Sequence, residues 1–193
     1  MKKVWVLFWI LLAVGMVTAA VFTTKAAIKN DVPSSQPTRT DIIPAGTVAN
    51  DIVKTNDEAN IPSLMQPSNT VRDATDRLIS KTCSPGTNHC KLQAIYDFVR
   101  RGFTYQDVSL DHNYIQSPTE TLFAGAGDSI ELALLIASMQ RAAGFKNEIL
   151  KGPYHAFVRV TDNNQTFLID PSCQSCSFRD VRVAVSGSET IYS

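Results

Sequence analysis

The stretch that decides the fold is GAGDSIELALLIASMQRAAGF, residues 125–145, in which a glycine-rich turn runs directly into a long apolar segment. Residues 130–143 are apolar almost all round, a pattern typical of a helix buried inside a domain. Asp128 and Glu131 have the three-residue spacing of a capping box, which predicts that the helix begins here. The sequence therefore places Ser129 at the start of a central buried helix.

The segments around this helix predict other helices first and an antiparallel meander afterwards. Apolar periodicity predicts helices over residues 71–81, 88–102 and 117–125, and strands over residues 145–150, 155–160 and 166–170. Between the last two strands, TDNNQ reads as a hairpin turn because it is rich in Asn and Asp. The order predicts an α+β fold in which the central helix packs on a small antiparallel sheet.

The N-terminus predicts a membrane anchor or a signal peptide. Lys2 and Lys3 precede an apolar run at residues 4–22, whose 19 residues roughly match the hydrocarbon core of a bilayer. We expect residues 1–23 to form an uncleaved transmembrane helix with a cytoplasmic start. The small residues at 18–20 also suit a signal peptidase, so a secreted domain is the alternative. In both cases the folded domain lies outside the cytoplasm.

Residues 24–70 predict a linker rather than a folded element. They are rich in Pro, Ser, Thr, Asn and Asp, and they show no sustained helical or strand period. Such a composition is typical of a partly disordered tether that holds a domain away from a membrane. The folded domain is therefore expected to span residues 71–193.

The charge distribution argues against nucleic acid as a partner. Lysine and arginine together number 18, and so do aspartate and glutamate. Four of the basic residues precede Asp31, so residues 31–193 carry 14 basic residues and all 18 acidic ones. That part of the chain is mildly acidic and has no Lys/Arg stripe. We therefore do not expect it to bind nucleic acid.

The four cysteines, Cys83, Cys90, Cys173 and Cys176, predict disulfides in an exported chain, with three connectivities open. Cys83 and Cys90 bracket a turn-rich hexapeptide that would bring them together. The two-residue spacing of the other pair also occurs in metal knuckles and redox motifs. Structural zinc and free thiols are therefore alternatives, but we assign no metal site and no cofactor.

Three polar residues stand out by their positions. Ser129 begins the buried helix, His155 begins the second predicted strand, and Asp170 closes the third. If those strands pair around their turn, imidazole and carboxylate fall at the same end of the hairpin. A serine presented there by a helix N-terminus gives the nucleophile, base and orienting-acid arrangement of acyl transfer. Each residue also has an ordinary structural interpretation, as a helix start, a hydrogen-bonded histidine and a turn opener.

These motifs resemble a transglutaminase-like domain of the papain superfamily, of the membrane-anchored archaeal or bacterial kind. The matching stretches are QSPTETLFAGAGDSIELALLIASMQRAAGF, GPYHAFVRV and FLIDPSC, within residues 94–178. The resemblance implies a Gly-Asp-Cys turn that supplies a thiol, followed by a histidine and an aspartate. His155 and Asp170 match the latter two positions. It also implies polypeptide amides as the substrate class.

The sequence departs from this pattern at the nucleophile, because Ser129 stands where the family has cysteine. A serine hydroxyl forms no ion pair with imidazole, so it must lose its proton during the attack itself. The chain is therefore expected to be a serine hydrolase or a pseudoenzyme that retains the groove. Gln116 and Tyr114 are candidate oxyanion donors. A structural or adhesive surface module is the alternative from another class, and oligomeric state is left open.

Overall fold

The structure is a computed structural model, and it describes residues 36–43, 46–47, 52, 55–106, 114–152, 155–173, 175–176, 178 and 190–193. The segment predicted as an anchor or signal peptide, residues 1–23, lies outside these ranges. Across the ranges that are described, no helix combines the length and the apolar character needed to traverse a bilayer.

Helices come first and the main sheet follows, which confirms the predicted α+β class. The helical part contains α1 (Arg39–Ile42), a 3-10 turn (Glu58–Asn60), α2 (Ile61–Leu64), α3 (Asn69–Thr82), α4 (Asn88–Gly102), α5 (Pro118–Ala124) and α6 (Ser129–Ala142). The strands are β1 (Thr104–Tyr105), β2 (Ala126–Gly127), β3 (Asn147–Lys151), β4 (Ala156–Asp162), β5 (Gln165–Ile169) and β6 (Thr190–Tyr192).

Helix α6 is the centre of the core, as its all-round apolar sequence predicts. Each of its residues from 129 to 140 is buried. It packs against α3, α4 and α5 on one side and against β3 and β4 on the other. It ends before Gly144, which adopts a left-handed φ of 92° that favours glycine.

The main sheet has the strand order β5-β4-β3-β6, and all its pairs are antiparallel. Its β4–β5 hairpin turns at Asn163 and Asn164, whose φ values of 48° and 62° suit asparagine. Strand β6 was not predicted from the sequence. It has only three residues, too few to show a period, and its Ile191 remains 53% exposed.

Part of the predicted linker belongs to the core. Ile42, Ile61, Leu64 and Met65 lie within residues 24–70, and each is at most 5% exposed. The folded unit therefore extends further toward the N-terminus than the predicted boundary at residue 71. The sequence does not show this, because these apolar residues lie in or directly after helices of four residues, which are too short to show a repeat.

Candidate functional site

The turn into α6 is fixed by backbone pairing with an earlier strand. Gly125 ends α5 with a φ of 71°, a left-handed conformation that glycine adopts at little cost. The carbonyl of Gly125 then accepts a hydrogen bond from the Thr104 backbone N–H at 2.9 Å, and β2 continues this parallel pairing with β1. The backbone before Ser129 is therefore fixed both by the end of α5 at Gly125 and by the pairing of β2 with β1.

Ser129 is the first residue of α6, and its neighbours supply the cap. The Asp128 carboxylate accepts from the Glu131 backbone N–H at 2.9 Å, and the Glu131 carboxylate accepts from the Asp128 backbone N–H at 3.0 Å. This confirms the predicted capping box. Because Asp128 makes the cap, the hydroxyl of Ser129 is not needed for it. Ser129 itself is 5% exposed.

Glu131 also connects this turn to the loop before α5. Its second carboxylate oxygen accepts a hydrogen bond from the Gln116 backbone N–H at 2.9 Å, and the side chain is buried. The Glu131 carboxylate thus connects the loop that contains Gln116, an oxyanion candidate, to the start of α6 at Ser129. The sequence predicted the cap, but it gave no signal for a contact between residues 15 positions apart.

His155 and Asp170 lie at the same end of the β4–β5 hairpin. The last residue pair of that ladder is Val158 opposite Ile169. Continued by one position, the register sets Asp170 opposite Phe157, the residue two beyond His155. Diagonal neighbours of this kind are about 7–8 Å apart and share one face of the sheet. The ring centroids of His155 and Phe157 are 6.4 Å apart, which is consistent with such a shared face.

Within the described part of the chain, no hydrogen bond joins Ser129, His155 and Asp170 to one another. His155 is exposed. The Asp170 carboxylate instead accepts from the backbone N–H and the hydroxyl of Ser172, at 2.9 and 2.6 Å. This local turn fixes the carboxylate immediately after β5. The hairpin brings the base and acid candidates to one end, while a bonded triad is not formed.

The two oxyanion candidates have different surroundings. The Tyr114 hydroxyl donates to Glu120 at 2.7 Å, and this hydrogen bond raises the pKa of Tyr114. The side-chain carbonyl of Gln116 accepts from the Thr121 hydroxyl at 3.4 Å. That contact directs the acceptor end of the Gln116 amide toward α5, so its two N–H donors point elsewhere.

All four cysteines form disulfides, one joining Cys83 to Cys90 and one joining Cys173 to Cys176. The prediction of disulfides is confirmed. The zinc and free-thiol alternatives are not supported, because no cysteine is left as a thiol. The second disulfide closes the loop that directly follows Asp170.

Arg39 is a residue near the site that sequence reasoning missed. Its guanidinium donates to the Phe123 carbonyl at 2.9 Å and lies over Gly125, where an added Cβ would be 2.0 Å from its Nη1. This side chain comes from the range predicted as a linker. It holds the end of α5 from 84 positions away, a separation at which no local pattern can signal contact.

Fold and site together define an α+β domain in which a capped central helix packs on a sheet, and one hairpin end of that sheet carries a histidine and an aspartate. Residues 73–166 match the family model described as the transglutaminase-like superfamily. Over those residues the chain is therefore similar to transglutaminase-like domains. The matched range includes Ser129 and His155 and ends before Asp170.

One curated relative and several solved structures are similar to this chain. Cytokinesis protein 3 of Schizosaccharomyces pombe is 25% identical over 126 residues, which cover 56% of this chain and 14% of that protein. A candidate protease from Parabacteroides distasonis has 16% identity and a TM-score of 0.48, covering 58% of this chain and 26% of that one. The chain thus spans a small part of both proteins.

Two further structures have comparable similarity. A candidate cysteine protease from Cytophaga hutchinsonii has 17% identity and a TM-score of 0.47, covering 59% of this chain and 42% of that one. EGTA-treated LapG of Legionella pneumophila has 16% identity and a TM-score of 0.48, covering 70% of this chain and 81% of that one. Similarity at this level does not carry function from those proteins to this chain.

Proposed function

We propose that this domain binds polypeptides at a site formed by Ser129, His155 and Asp170 and hydrolyses their amide bonds slowly. The observation that carries the proposal is the start of α6. It presents Ser129 in a first turn that is capped by a neighbour, on a helix packed against β4. The residue before β4 is His155, and the residue after its partner strand is Asp170.

The proposed reaction is an acyl transfer in two halves. The Ser129 hydroxyl attacks the amide carbonyl carbon while His155 accepts its proton, and the same proton then passes to the leaving amine. Asp170 orients the imidazole and stabilises its charged form. Backbone N–H groups of the first turn of α6, together with Gln116, stabilise the oxyanion. Water then hydrolyses the acyl-serine and returns the hydroxyl.

Two features support a slow reaction. A serine in a site shaped for sulfur leaves its oxygen recessed, and a misplacement of about 1 Å can cost on the order of 100-fold in rate. In addition, His155 is exposed and has no hydrogen bond to Ser129 or Asp170 among the described residues. Both features favour a binding groove with weak turnover over an efficient hydrolase.

The second candidate function is a non-catalytic surface module. It is favoured by the two disulfides and by the packing of Ile42, Ile61, Leu64 and Met65 into the core, which stabilise the domain without serving chemistry. On this alternative, the three polar residues would be relics of an ancestral site. Turnover separates the two functions, because a relic does not regain activity when a thiol is restored.

The test is to restore the thiol with Ser129→Cys and to follow cleavage of dye-labelled casein. We expect cleavage to rise about 100-fold over the parent chain and to be lost when His155→Ala is added, since the thiol needs its base. Asp76→Asn, on an exposed face of α3, serves as a control that should leave the rate unchanged. No cleavage by Ser129→Cys would favour the non-catalytic module.

We also propose that the domain lies outside the cytoplasm, attached through the apolar segment at residues 4–22. Two disulfides support this, because such bonds persist mainly in oxidising compartments. Asn69→Cys adds a thiol at an exposed position of α3. A membrane-impermeant maleimide should label this variant in intact cells. Labelling only after lysis would contradict the proposal.

A further inference from the structure

Arg141 is a partly buried cation without an acidic partner among the described residues. Its Nε donates to the Asn147 side-chain oxygen at 2.9 Å, and its Nη2 donates to the Asn147 carbonyl at 3.2 Å. Burial lowers the pKa of Arg141. No described carboxylate lies within ion-pair distance of it. A desolvated charge without a counter-ion is costly, so this site would gain from binding an anion.

The contacts of Asn147 make this guanidinium rigid. Asn147 is 6% exposed, and its side-chain N–H groups donate to the Ala137 carbonyl at 2.8 Å and to Gln140 at 2.9 Å. Both ends of the amide are therefore occupied by α6. A guanidinium held in this way loses little conformational freedom when a ligand binds, and its planar fork matches an oxyanion.

Arg141 lines an open cleft of about 860 Å³ whose charge is mainly positive. The charged residues around it are Arg72, Arg141, Lys146, Arg159, Glu148 and Asp162. Glu148 pairs with Arg159, and Asp162 accepts from the neutral amide of Asn88, so the charge of Asp162 remains against those of Arg72, Arg141 and Lys146. Arg72 and Lys146 are exposed and have no ion pair within the described residues.

This cleft is separate from the candidate site. Arg141 follows Ser129 by 12 positions on α6, which corresponds to about 18 Å along the helix axis. The cleft also includes Asp162 and Asn163, at the turn of the β4–β5 hairpin. His155 and Asp170 lie at the other end of that hairpin.

We propose that this cleft binds a ligand through a carboxylate or phosphate group. Arg141 supplies its charge and the guanidinium N–H groups that Asn147 does not accept, and Arg72 and Lys146 supply further positive charge at the rim. Hydrogen bonds from a charged guanidinium to an anion are stronger than hydrogen bonds between neutral groups. The volume is larger than one such group needs, so the anion is expected to be carried on a larger molecule.

The test is calorimetric titration of the 193-residue chain with inorganic phosphate and, separately, with succinate, at an ionic strength fixed by sodium chloride. We expect saturable binding of at least one probe. Arg72→Gln combined with Lys146→Gln should raise the dissociation constant about tenfold, through the loss of two charges. Arg77 lies on the same helix as Arg72 but outside the cleft, so Arg77→Gln should leave the dissociation constant unchanged.

Arg141→Gln should abolish binding, and its melting curve shows whether the domain remains folded. If that variant does not fold, the comparison of the rim variant with Arg77→Gln decides the matter. Tighter binding of phosphate or of succinate identifies the source of the anion. The proposal is overturned if neither probe binds, or if Arg77→Gln weakens binding as much as the rim variant does.

Discussion

At the scale of single residues, Glu131 connects the parts of the candidate site. Its buried carboxylate accepts two hydrogen bonds from backbone N–H groups, one from Asp128 in the turn into α6 and one from Gln116 in the loop before α5. Spacing in the sequence predicted only its reciprocal cap with Asp128, because capping is local. The contact with Gln116 depends on how α5 packs on α6, which no local pattern specifies.

Glu131→Gln is expected to lower the free energy of unfolding by about 1–3 kcal/mol. An amide offers one acceptor oxygen, so its NH₂ group would face one of the two backbone donors. Asp76→Asn, which neutralises an exposed carboxylate on α3, should change stability by less than about 0.5 kcal/mol. Urea denaturation of both variants measures the difference. Equal effects would show that Glu131 is not a structural acceptor.

At the scale of elements, the sequence predicted the helix at the centre and the three strands after it. Their hydrophobic periods are long enough to recognise, and α6 ends at Ala142, close to the end of the apolar run at residue 143. The elements that were not predicted are α1, the 3-10 turn, α2, β1, β2 and β6, each two to four residues long. They exist because of contacts with distant helices and strands, so local sequence carries little of the information.

The turn into α6 provides a prediction at this scale. Gly125→Ala should destabilise more than Gly144→Ala, although both residues have positive φ. A Cβ at Gly144 meets nothing within 4 Å, so the cost there is about 1–2 kcal/mol of backbone strain. At Gly125 it would displace Arg39 and break the bond to Phe123, which adds roughly 1 kcal/mol.

Thermal and urea unfolding of both alanine variants test this prediction. In an Arg39→Ala background, the extra cost at Gly125 should disappear, because the displaced side chain is no longer present. An extra cost that persists in that background would mean that Arg39 is not its cause.

At the scale of the whole molecule, residues 55–68, which precede α3, are part of the domain. The 3-10 turn is tied to the sheet by Glu58, which pairs with Lys151 of β3 at 3.0 Å and accepts from the Tyr192 hydroxyl of β6 at 3.0 Å. The sequence suggested a tether because Pro, Ser and Asn dominate there. Composition gives only the average polarity of a segment. A few apolar residues that reach the core are enough to fold such a segment onto the domain.

Glu58 makes this attachment sensitive to pH. The hydrogen bond from Lys151, followed by that from Tyr192, lowers the pKa of Glu58 below its ordinary value of 4.5. A carboxylate with a depressed folded pKa adds stability above its unfolded pKa and loses it as the pH falls through the folded pKa. Glu58→Gln should therefore cost about 0.5 kcal/mol at neutral pH, as partly exposed pairs do.

That difference should shrink as the pH falls through the lowered pKa of Glu58, and it should vanish once the parent carboxyl is protonated in the folded protein too. Urea unfolding at a series of pH values measures it. Asp73→Asn, an exposed position without an ion pair among the described residues, should show no such trend. A constant difference at all pH values would contradict an ionic role for Glu58.

The central claim is that position 129 is a nucleophile position served by His155, and alkylation of Ser129→Cys tests it most directly. The four native cysteines form disulfides, so the new thiol is the only free one. Asn69→Cys is the matched control, because it is also the first residue of a capped helix and is more exposed.

With iodoacetamide at pH 7, Ser129→Cys should react at least about tenfold faster than Asn69→Cys, because a neighbouring imidazolium lowers a thiol pKa. Adding His155→Ala should remove that advantage. If Ser129→Cys reacts at the same rate with and without His155, the imidazole does not serve this position and the account is contradicted.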